Sequence, residues 1–419
     1  MTASTSPTVG ARPALPRLPG RRWYRNLPLL AVVCLGGLGY VIWWAHNVYV
    51  TNPRGFEDLD AYRLGVLAWW HGQDMYGKLP LTDFGTQLPF VYPPFAAIVF
   101  SPLVLLSWPG MMIAMLALSL GCAAVVTYLC VRRAWPDGGI RGALMATGVL
   151  LPLALSTEPM YDTLWFGQIN LLLMLLVALD CLVLAPKWPR GVLIGIAAAI
   201  KLTPLVFLLY FLLRKDFRTS VTILVSAAAA TALGFLVIWK PSVEYWFGSM
   251  GAAGQISGTG FIGNQSIDGG LGRWGLTPHQ QNLWWLALVA VTGVFAVLGI
   301  VRAHRLGEPV LALAVTAGFG LLASPVSWGH YYIYAIPAFV VMVAIGLRRR
   351  HPGWLLGAAG LAVVVWIPPF FYTENGGYVL TVPQQLKANG YTLAVLLLVL
   401  IFSLPEVFHL ARLSVNNKR

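Results

Sequence analysis

The sequence predicts an all-α, polytopic membrane protein, a bundle of roughly 10–12 transmembrane helices whose non-cytoplasmic loops carry short interfacial helices. Three observations support this fold class. Of the 419 residues, 58% are hydrophobic and only 10% are charged, whereas soluble domains carry about 25% charged residues. The apolar residues are gathered into long runs, and the Lys and Arg residues lie between these runs in an asymmetric pattern. Such a chain is solvated by lipid rather than by water.

Twelve apolar segments follow one another along the chain, and a helix of about 20 residues is needed to cross a bilayer. These segments are 27–49, 92–107, 109–131, 141–157, 168–186, 190–213, 218–239, 283–303, 308–324, 330–347, 353–371 and 391–411. Segment 92–107 is short and contains prolines, and segment 190–213 is interrupted at Lys201. We therefore expect ten full spans, with these two segments re-entering the membrane. Twelve simple spans are the alternative.

The positions of the basic residues orient the chain. The pieces assigned to the cytoplasm hold 21 of the 28 Lys and Arg residues, and cytoplasmic loops of membrane proteins are enriched in both. Both termini then lie in the cytoplasm, and three long loops, 50–91, 240–282 and 372–390, lie on the opposite side. This placement also explains the formal charge of +13 without binding to nucleic acid.

The chain divides into one membrane domain and two tails. Residues 1–26 are rich in Pro, Ser, Thr and Arg and are predicted to be a disordered cytoplasmic tail. Residues 27–411 form a single transmembrane domain, and residues 412–419 form a second cytoplasmic tail. The four cysteines lie in or beside apolar runs, without a CxxC pair or a neighbouring His. We therefore expect neither a zinc site nor a disulfide framework.

The first long loop opens with the densest acidic cluster in the chain, Glu57, Asp58 and Asp60. The residues that follow, with Tyr62 on the apolar face, have the spacing of an amphipathic helix at the membrane interface. Neighbouring carboxylates raise one another's pKa, so an acid at this place can serve as a general base. The structural alternative is that Asp58 caps the helix and Asp60 pairs with Arg63.

Two further candidate positions lie at or inside apolar segments. Gln168 and Asn170 lie at the outer mouth of a span, where they can bind sugar hydroxyls or cap the helix. Lys201 lies within an apolar run, where an ammonium group must find a partner. A phosphate is one such partner, and a buried acid, Asp162 or Asp180, is the alternative.

The remaining candidates lie in or beside later loops. Amide, hydroxyl and guanidinium groups among glycines suit the recognition of sugar or phosphate, with a solvated turn as the alternative. These groups belong to Asn264, Gln265, Ser266 and Arg273. A second group surrounds His330, which is flanked by Trp328, two tyrosines and two serines. We expect a binding cleft there, although a lone His on an apolar helix is commonly a packing residue.

Taken in order, short motifs between residues 58 and 330 resemble those of glycosyltransferase family 87, membrane mannosyltransferases of the GT-C architecture. The matching stretches are Asp58-Leu-Asp-Ala-Tyr62, Tyr92-Pro-Pro-Phe95, Gly167-Gln-Ile-Asn170, Lys201-Leu-Thr-Pro204, Asn264-Gln-Ser266 and Ser324-Pro-Val-Ser-Trp-Gly-His330. Each motif is short, and it is their common order that carries the resemblance.

The resemblance implies mannose transfer, with inversion, from polyprenyl-phosphate-mannose to a phosphatidylinositol mannoside, with an α-1,2 bond onto the tetramannoside. It implies Asp58 as general base, no cofactor and no metal ion, and an active site that faces the periplasm from the plasma membrane. The groups expected to bind the donor phosphate or sugar are Lys201, His330, Asn264, Gln265, Ser266 and Arg273. The groups expected to bind the acceptor or sugar are Asp60, Tyr62, Gln168, Asn170 and Trp328.

Other functions fit the same architecture. A sister enzyme would add α-1,2 branches to lipomannan or lipoarabinomannan, a flippase would move a lipid-linked sugar without forming a bond, and a scaffold, ligase or polymerase would share only the bundle. Transporters typically have paired halves and a polar path through the midplane. Here the polar groups gather on one side and only Lys201 lies deep. The sequence therefore favours transfer over transport.

Overall fold

The computed structural model describes residues 26–52, 55–249, 260–372 and 380–404. Within these ranges the regular structure is helical, apart from one isolated bridge between Asn264 and Trp328. The predicted all-α class is therefore confirmed. The predicted tails lie outside the described residues, apart from Asn26. The four cysteines are free, as the sequence predicts.

Eighteen α-helices lie in the described part of the chain. In order they are α1 (Leu27–Thr51), α2 (Glu57–Trp70), α3 (Pro94–Val104), α4 (Trp108–Ala134), α5 (Gly139–Leu155), α6 (Glu158–Trp165), α7 (Asn170–Leu182), α8 (Val192–Ile200), α9 (Phe207–Leu213), α10 (Phe217–Val237), α11 (Trp239–Glu244), α12 (Ile267–Gly272), α13 (Pro278–Arg305), α14 (Pro309–Ala323), α15 (Ala335–Arg349), α16 (Pro352–Trp366), α17 (Val382–Ala388) and α18 (Gly390–Ser403). Four of them, α3, α13, α14 and α16, begin at a proline, whose fixed φ suits the first turn of a helix.

Most of these helices are apolar enough to lie within a bilayer. Six helical stretches are long enough to cross it: α1, α4, α10 and α13 alone, and α5 and α15 together with the short turns that precede them, as Pro136–Leu155 and Gly329–Arg349. Two bent pairs, α6 with α7 and α17 with α18, each reach that length together. Helices α3, α14 and α16, and α9 with the turn before it, are also apolar but shorter, with 10–17 residues each. The twelve predicted segments all contain such a helix, and the polytopic class is confirmed.

The two segments predicted to re-enter the membrane are short or broken in the structure. Helix α3 has 11 residues, which span about 16 Å, against about 30 Å for the hydrocarbon core. Segment 190–213 contains α8, a break at Lys201 and then α9. These lengths fit re-entrant elements, whereas the side of the membrane that each end faces stays a prediction.

Close packing of α8 against α10 fixes the place where the broken segment ends. A Cβ added to Gly195 of α8 would lie 2.5 Å from the Cβ of Ser226 and 2.6 Å from the carbonyl oxygen of Ile223, both in α10. Small residues of this kind let two helix backbones approach closely within a bilayer. The position of Lys201, directly after α8, therefore depends on this contact.

Helix α2 forms as the sequence predicts, but it is more deeply buried than an interfacial helix. Leu59, Tyr62 and Val66 are buried within the bundle, and only the end of the helix, at Trp70, is exposed. The helix packs against α3, which is itself largely buried along one face. The start of α2, with its acidic residues, is thereby brought into the interior of the protein.

Candidate active site

Asp58 is positioned by the docking of α2 onto the turn between α6 and α7. Phe56 is fully buried in a left-handed conformation (φ 63°) that is uncommon for a residue other than glycine. Its N–H donates to the carbonyl oxygen of Trp165 at 3.0 Å, and the N–H groups of Asp58 and Leu59 both donate to that of Phe166 at 3.2 Å. Helix α2 has no side-chain cap. The alternative that Asp58 caps the helix is therefore wrong.

Gly167 makes this docking possible. Its φ is +69°, a conformation that favours glycine. A Cβ at this position would lie 2.8 Å from the Cβ of Leu59 and 2.9 Å from the ring of Phe56. Both the backbone conformation and the close approach of α2 thus require glycine here.

The carboxyl group of Asp58 is half-buried and faces both a hydrogen-bond donor and a cation. Burial raises the pKa of Asp58 to about 6, and the nearby charge of Glu57 adds to this shift. The hydrogen bond from Gln168 and the charge of Lys201 act in the opposite direction. Such a carboxylate is ionised at neutral pH and basic enough to take a proton from a hydroxyl group as that group reacts.

Gln168 and Tyr62, both predicted sugar ligands, lie together in the protein interior beside Asp58. The phenol of Tyr62 donates to Oε1 of Gln168 at 2.9 Å, and the phenol of Tyr92 donates to the same oxygen at 3.3 Å. The two phenol oxygens are themselves 2.9 Å apart. The ring of Tyr62 stacks on Phe100 with centroids 4.4 Å apart. The sugar-binding roles of Gln168 and Tyr62 stay predictions.

Lys201 lies at the C-terminal end of α8, where the backbone becomes extended. Its Nζ donates to Oδ1 of Asn170 at 3.1 Å and lies 3.8 Å from the centroid of the Tyr331 ring, a favourable cation–π distance. The ion pairs within 4.0 Å in the described residues do not involve Lys201. The alternative of an ion pair with Asp162 or Asp180 is therefore wrong for the described chain.

A cavity opens beside Lys201. Apolar side chains of α7, α9 and α14 form much of its wall. Its polar lining comes from Asn170, Lys201, Thr203, Ser327, Tyr331 and Tyr334. A cavity that joins an ammonium group to apolar helix surfaces can hold a phosphate attached to a lipid chain.

His330 and Asn170 carry polar atoms without partners near this cation. The Nε2 of His330 and the Nδ2 of Asn170 are buried and have no hydrogen-bond partner in the described structure. His330 lies within electrostatic reach of Lys201, and its ring is 5.6 Å from that of Phe166. Its carbonyl oxygen accepts a hydrogen bond from Thr163 at 2.8 Å. Buried polar atoms of this kind are costly unless a ligand or water completes them.

Asp60 and Trp328 lie apart from this group. Asp60 is buried, forms an ion pair with Arg63 at 2.8 Å, and accepts a hydrogen bond from the N–H of Asp83 at 2.9 Å. The structural alternative for Asp60 is thus confirmed. The ring of Trp328 packs against Phe261, with centroids 5.8 Å apart. Sugar binding by Asp60 or Trp328 stays a prediction.

The amide and hydroxyl groups of the second long loop bind main-chain groups. Asn264 and Ser266 both donate to the carbonyl oxygen of Pro325 at 3.0 Å. Gln265 donates to the carbonyl oxygen of Ala388 at 2.7 Å. The three residues are fully buried, so the alternative of a solvated turn is wrong. These contacts are all made within the protein, so they do not support the predicted role of the three residues in donor binding.

Arg273 joins the same loop to the start of α18. Its Nη1 donates to the carbonyl oxygens of Phe261 and Asn264 at 2.9 and 3.1 Å, and its Nη2 donates to Oδ1 of Asn389 at 2.6 Å. Its own carbonyl oxygen accepts from Gln385 at 2.6 Å. The side chain is buried within this network, and its predicted contact with the donor phosphate stays a prediction.

Sequence reasoning missed two aromatic members of the group, Tyr92 and Tyr331. The sequence gives Tyr92 no role beyond its place in a matching motif, yet its ring lies 5.4 Å from Nζ of Lys201 and its phenol contacts Gln168. Tyr331 follows His330 and provides the closer ring. The sequence did offer one indication of their role, because each of these tyrosines lies in or directly beside a motif of the family resemblance.

A helical membrane bundle in which a carboxylate lies within electrostatic reach of a half-buried lysine has the arrangement of a membrane-embedded glycosyltransferase. The model of Glycosyltransferase family 87 matches residues 90–325, more than half of the chain. The chain belongs to this family and is therefore a glycosyltransferase, which removes the flippase and scaffold alternatives. The matched stretch contains Gln168, Asn170 and Lys201 but begins after Asp58 and ends before His330.

Curated relatives match most of the chain. A polyprenol-phosphate-mannose-dependent alpha-(1-2)-phosphatidylinositol mannoside mannosyltransferase of Mycobacterium tuberculosis is 38% identical, over 88% of this chain and 86% of its own length. The protein of the same name from Mycolicibacterium smegmatis is 38% identical, over 80% of each chain. A phosphatidylinositol pentamannoside mannosyltransferase of M. tuberculosis, with the same donor and linkage in its name, is 30% identical over 87% of this chain and 82% of its own. No solved structure matches the chain at a significant level.

Proposed function

We propose that the protein transfers mannose from polyprenyl-phosphate-mannose to a mannose hydroxyl of a phosphatidylinositol mannoside, with inversion at the anomeric carbon. The bond formed is α-1,2 and the acceptor is the tetramannoside. The names of the two relatives at 38% identity, which carry this donor, this linkage and this class of acceptor, support the proposal. The length of the acceptor rests on the family resemblance alone.

The observation that carries the proposal is the relation between Asp58 and Lys201. The two groups are close enough for each charge to affect the other. They nevertheless do not form an ion pair within 4.0 Å among the described residues. Opposite charges that could neutralise each other are instead kept apart, which suits a reaction centre that lies between a base and a cation.

Asp58 acts as the general base in this mechanism. The ionised carboxylate takes the proton of the acceptor hydroxyl while that oxygen forms a bond to the anomeric carbon of the donor mannose. The bond from the anomeric carbon to the phosphate oxygen breaks, and its electron pair leaves with polyprenyl phosphate. Because one displacement occurs on the face opposite the leaving group, the β-linked donor gives an α-linked product.

Lys201, His330 and Asn170 bind the departing phosphate. Negative charge develops on that phosphate as the bond breaks, and preorganised donors at such a place stabilise the transition state. Lys201 supplies a cation, and the unpartnered nitrogen atoms of His330 and Asn170 can supply further hydrogen bonds. Asn170 is thus assigned to the donor rather than to the acceptor. The polyprenyl chain leaves along the apolar walls of the adjoining cavity.

The reaction takes place at the periplasmic face of the plasma membrane in this proposal. The excess of Lys and Arg in the opposite loops supports it, because those loops are then cytoplasmic together with both termini. Cysteine accessibility tests this orientation. A membrane-impermeant thiol reagent applied to intact cells should label a cysteine introduced at Thr86 of the first loop and not one introduced at Lys215. The reverse pattern would contradict the periplasmic site.

The decisive experiment is transfer by the purified full-length protein in lipid nanodiscs. Polyprenyl-phosphate-mannose is supplied with phosphatidylinositol tetramannoside or pentamannoside, and the product linkage is determined by NMR. We expect α-1,2-linked mannose on the tetramannoside. Turnover only with the pentamannoside would reassign the acceptor to that of the relatives at 30–32% identity. No transfer from this donor to either lipid would overturn the proposal.

A further inference from the structure

Three polar side chains form a hydrogen-bond network beside the carboxylate of Asp58, in which the two phenol protons serve two of the three oxygen–oxygen contacts at any one time. Tyr62, Tyr92 and Gln168 are all buried, with exposed fractions of 1%, 6% and 3%. Their three oxygen atoms lie within 3.3 Å of one another. The network is held in place by the stacking of Tyr62 on Phe100, whose planes differ by 2°. Asp58 lies one helical turn before Tyr62 on α2, and the Gln168 side chain lowers the pKa of Asp58, so the amide faces that carboxylate.

The proton inventory of this network determines the orientation of the Gln168 amide. A phenol has one proton to donate, and an amide has a donor end and an acceptor end. If the NH₂ end faced the two phenols, the amide oxygen would face the ionised carboxylate of Asp58, and the two acceptors would repel each other. With Oε1 facing the phenols, Nε2 faces Asp58 and donates to it. Tyr62 and Tyr92 therefore keep the amide in the orientation in which it is a donor to the base.

We propose that Gln168, held by Tyr62 and Tyr92, is a positioning residue that occupies one oxygen of Asp58 and leaves the other oxygen for the acceptor hydroxyl. This inference rests on the proposed function of Asp58 as the general base. It replaces direct sugar binding, which the sequence suggested for Gln168 and Tyr62, by an action through Asp58. The hydroxyl of Tyr62 and Oε1 of Gln168 are already used within the network, so neither atom needs a sugar to complete it.

The network has a second consequence for the base. A hydrogen bond to the charged form of a carboxylate stabilises that form, so it opposes the effect of burial on the pKa of Asp58. Without the bond the carboxylate would be protonated over a wider range of pH. Gln168 therefore both orients the base and keeps it ionised at neutral pH.

The test is the pH dependence of transfer by full-length variants in nanodiscs. In Gln168→Leu, we expect the acid limb of kcat/KM to move to higher pH by about one unit, because one hydrogen bond to a charged group is lost. We expect kcat to fall about tenfold at neutral pH, with KM for polyprenyl-phosphate-mannose within about twofold of the wild-type value. Tyr62→Phe and Tyr92→Phe should move the limb in the same direction by a smaller amount.

Two further variants make the test specific. Gln168→Glu keeps an acceptor for both phenols but places a second carboxylate beside Asp58, so the limb should move further up than in Gln168→Leu. If Gln168→Leu does not fold, Gln168→Glu alone tests the positioning role of Gln168. The control is Tyr76→Phe. Tyr76 belongs to the same aromatic group, but its phenol donates to the main-chain oxygen of Tyr92 at 2.9 Å and not to Gln168. Its acid limb should coincide with that of the wild type.

The outcomes separate this inference from the proposed function. An unchanged acid limb in Gln168→Leu and Gln168→Glu would overturn the positioning role, and so would a raised acceptor KM with unchanged kcat, which is the behaviour of a sugar ligand. Asp58 would remain the base in either case if Asp58→Asn is inactive. Transfer by Asp58→Asn at the wild-type rate would instead overturn the base itself, and the inference with it.

Discussion

Two buried polar clusters of this protein look alike in sequence and differ in what their polar atoms contact. Each combines amide groups with a basic residue in or beside a loop. The reaction cluster consists of Asp58, Gln168, Asn170, Lys201 and His330. The loop cluster consists of Asn264, Gln265, Ser266 and Arg273. In the loop cluster the side chains bind main-chain carbonyl oxygens at 2.7–3.1 Å, and Nε of Arg273 has no partner. In the reaction cluster Nδ2 of Asn170 and Nε2 of His330 have no partner, and a carboxylate faces a lysine without forming an ion pair within 4.0 Å among the described residues.

The difference lies in unused hydrogen-bonding capacity. A buried polar group that lacks a partner costs about 1–3 kcal/mol, so a protein retains it only where something else is gained. The unpaired nitrogen atoms of Asn170 and His330, near the half-buried ammonium of Lys201, carry such a cost. The loop cluster instead uses its groups to join two parts of the chain, through Asn389 and Ala388. Unpaired atoms on two residues beside a cation therefore indicate a binding site. In the loop cluster Nε of Arg273 also lacks a partner, but both terminal nitrogen atoms of this guanidinium are paired, so the cluster is mainly a scaffold.

The largest expected effect in the reaction cluster is that of Asp58→Asn. The amide has nearly the same shape but cannot accept the proton, so we expect kcat to fall about 10³-fold. The thermal unfolding midpoint and donor binding should change little, because the helix start is held by main-chain bonds to Phe166. Initial rates and a donor-binding assay on the purified protein measure these quantities.

The matched control for this substitution is Asp83→Asn. Asp83 is an exposed carboxylate of the same loop, and its N–H rather than its side chain contacts Asp60. Its rate should stay close to that of the wild type. Transfer by Asp58→Asn at more than about a tenth of the wild-type rate would mean that another group removes the proton.

The next effect concerns Lys201. Removal of the ammonium in Lys201→Ala should weaken binding of polyprenyl-phosphate-mannose about 100-fold, since a charge-assisted contact to phosphate is lost from a buried site. The acceptor KM should change by much less. Isothermal titration, or a competition assay with polyprenyl phosphate, measures the affinity for the donor. Lys240→Ala, which removes an exposed lysine, is the control, and equal loss in both variants would point to a general effect of charge on lipid binding.

A smaller effect follows from pH. Because Asp58 must be ionised to act and burial raises its pKa to about 6, kcat/KM should fall as the pH decreases through 6 and reach about one tenth of its plateau at pH 5. The carboxylate of Asp268, beside the loop cluster, is hydrogen-bonded to Gln281 at 2.8 Å. Asp268→Asn should leave the limb in place. A wild-type limb near pH 4 would show that Asp58 is not the group that titrates.

Most of the fold could be predicted because the hydrophobic runs themselves encode it. Each of the twelve apolar segments contains an apolar helix, and the interruption at Lys201 separates α8 from α9. The burial of α2 could not be predicted in the same way. Its amphipathic pattern is the same for an interfacial helix and for one that packs on α3, and the choice depends on the left-handed Phe56 and on the glycine at 167.

The members of the site could be proposed from the sequence, but the group that each of them contacts could not. Gln168 and Asn170 are two residues apart in one motif and were interpreted together as sugar ligands. The structure directs Gln168 to Asp58 and Asn170 to Lys201, because the chain turns at Gly167 and enters α7 between them. Side-chain direction at such a turn depends on tertiary packing, and the spacing of residues along the sequence does not reveal it.

The smallest expected effect on catalysis belongs to Arg273, and it is the one that tests the comparison most directly. If the loop cluster is a scaffold, Arg273→Met should destabilise the protein by about 3 kcal/mol, since three acceptors lose their donor in a buried place. The molecules that remain folded should transfer mannose with kcat and donor KM within about twofold of the wild type. Thermal unfolding measures the loss of stability, and transfer rates normalised to the amount of folded enzyme measure catalysis. A raised donor KM with unchanged stability would place Arg273 on the phosphate after all, and the loop cluster would then share in donor binding despite its internal hydrogen bonds.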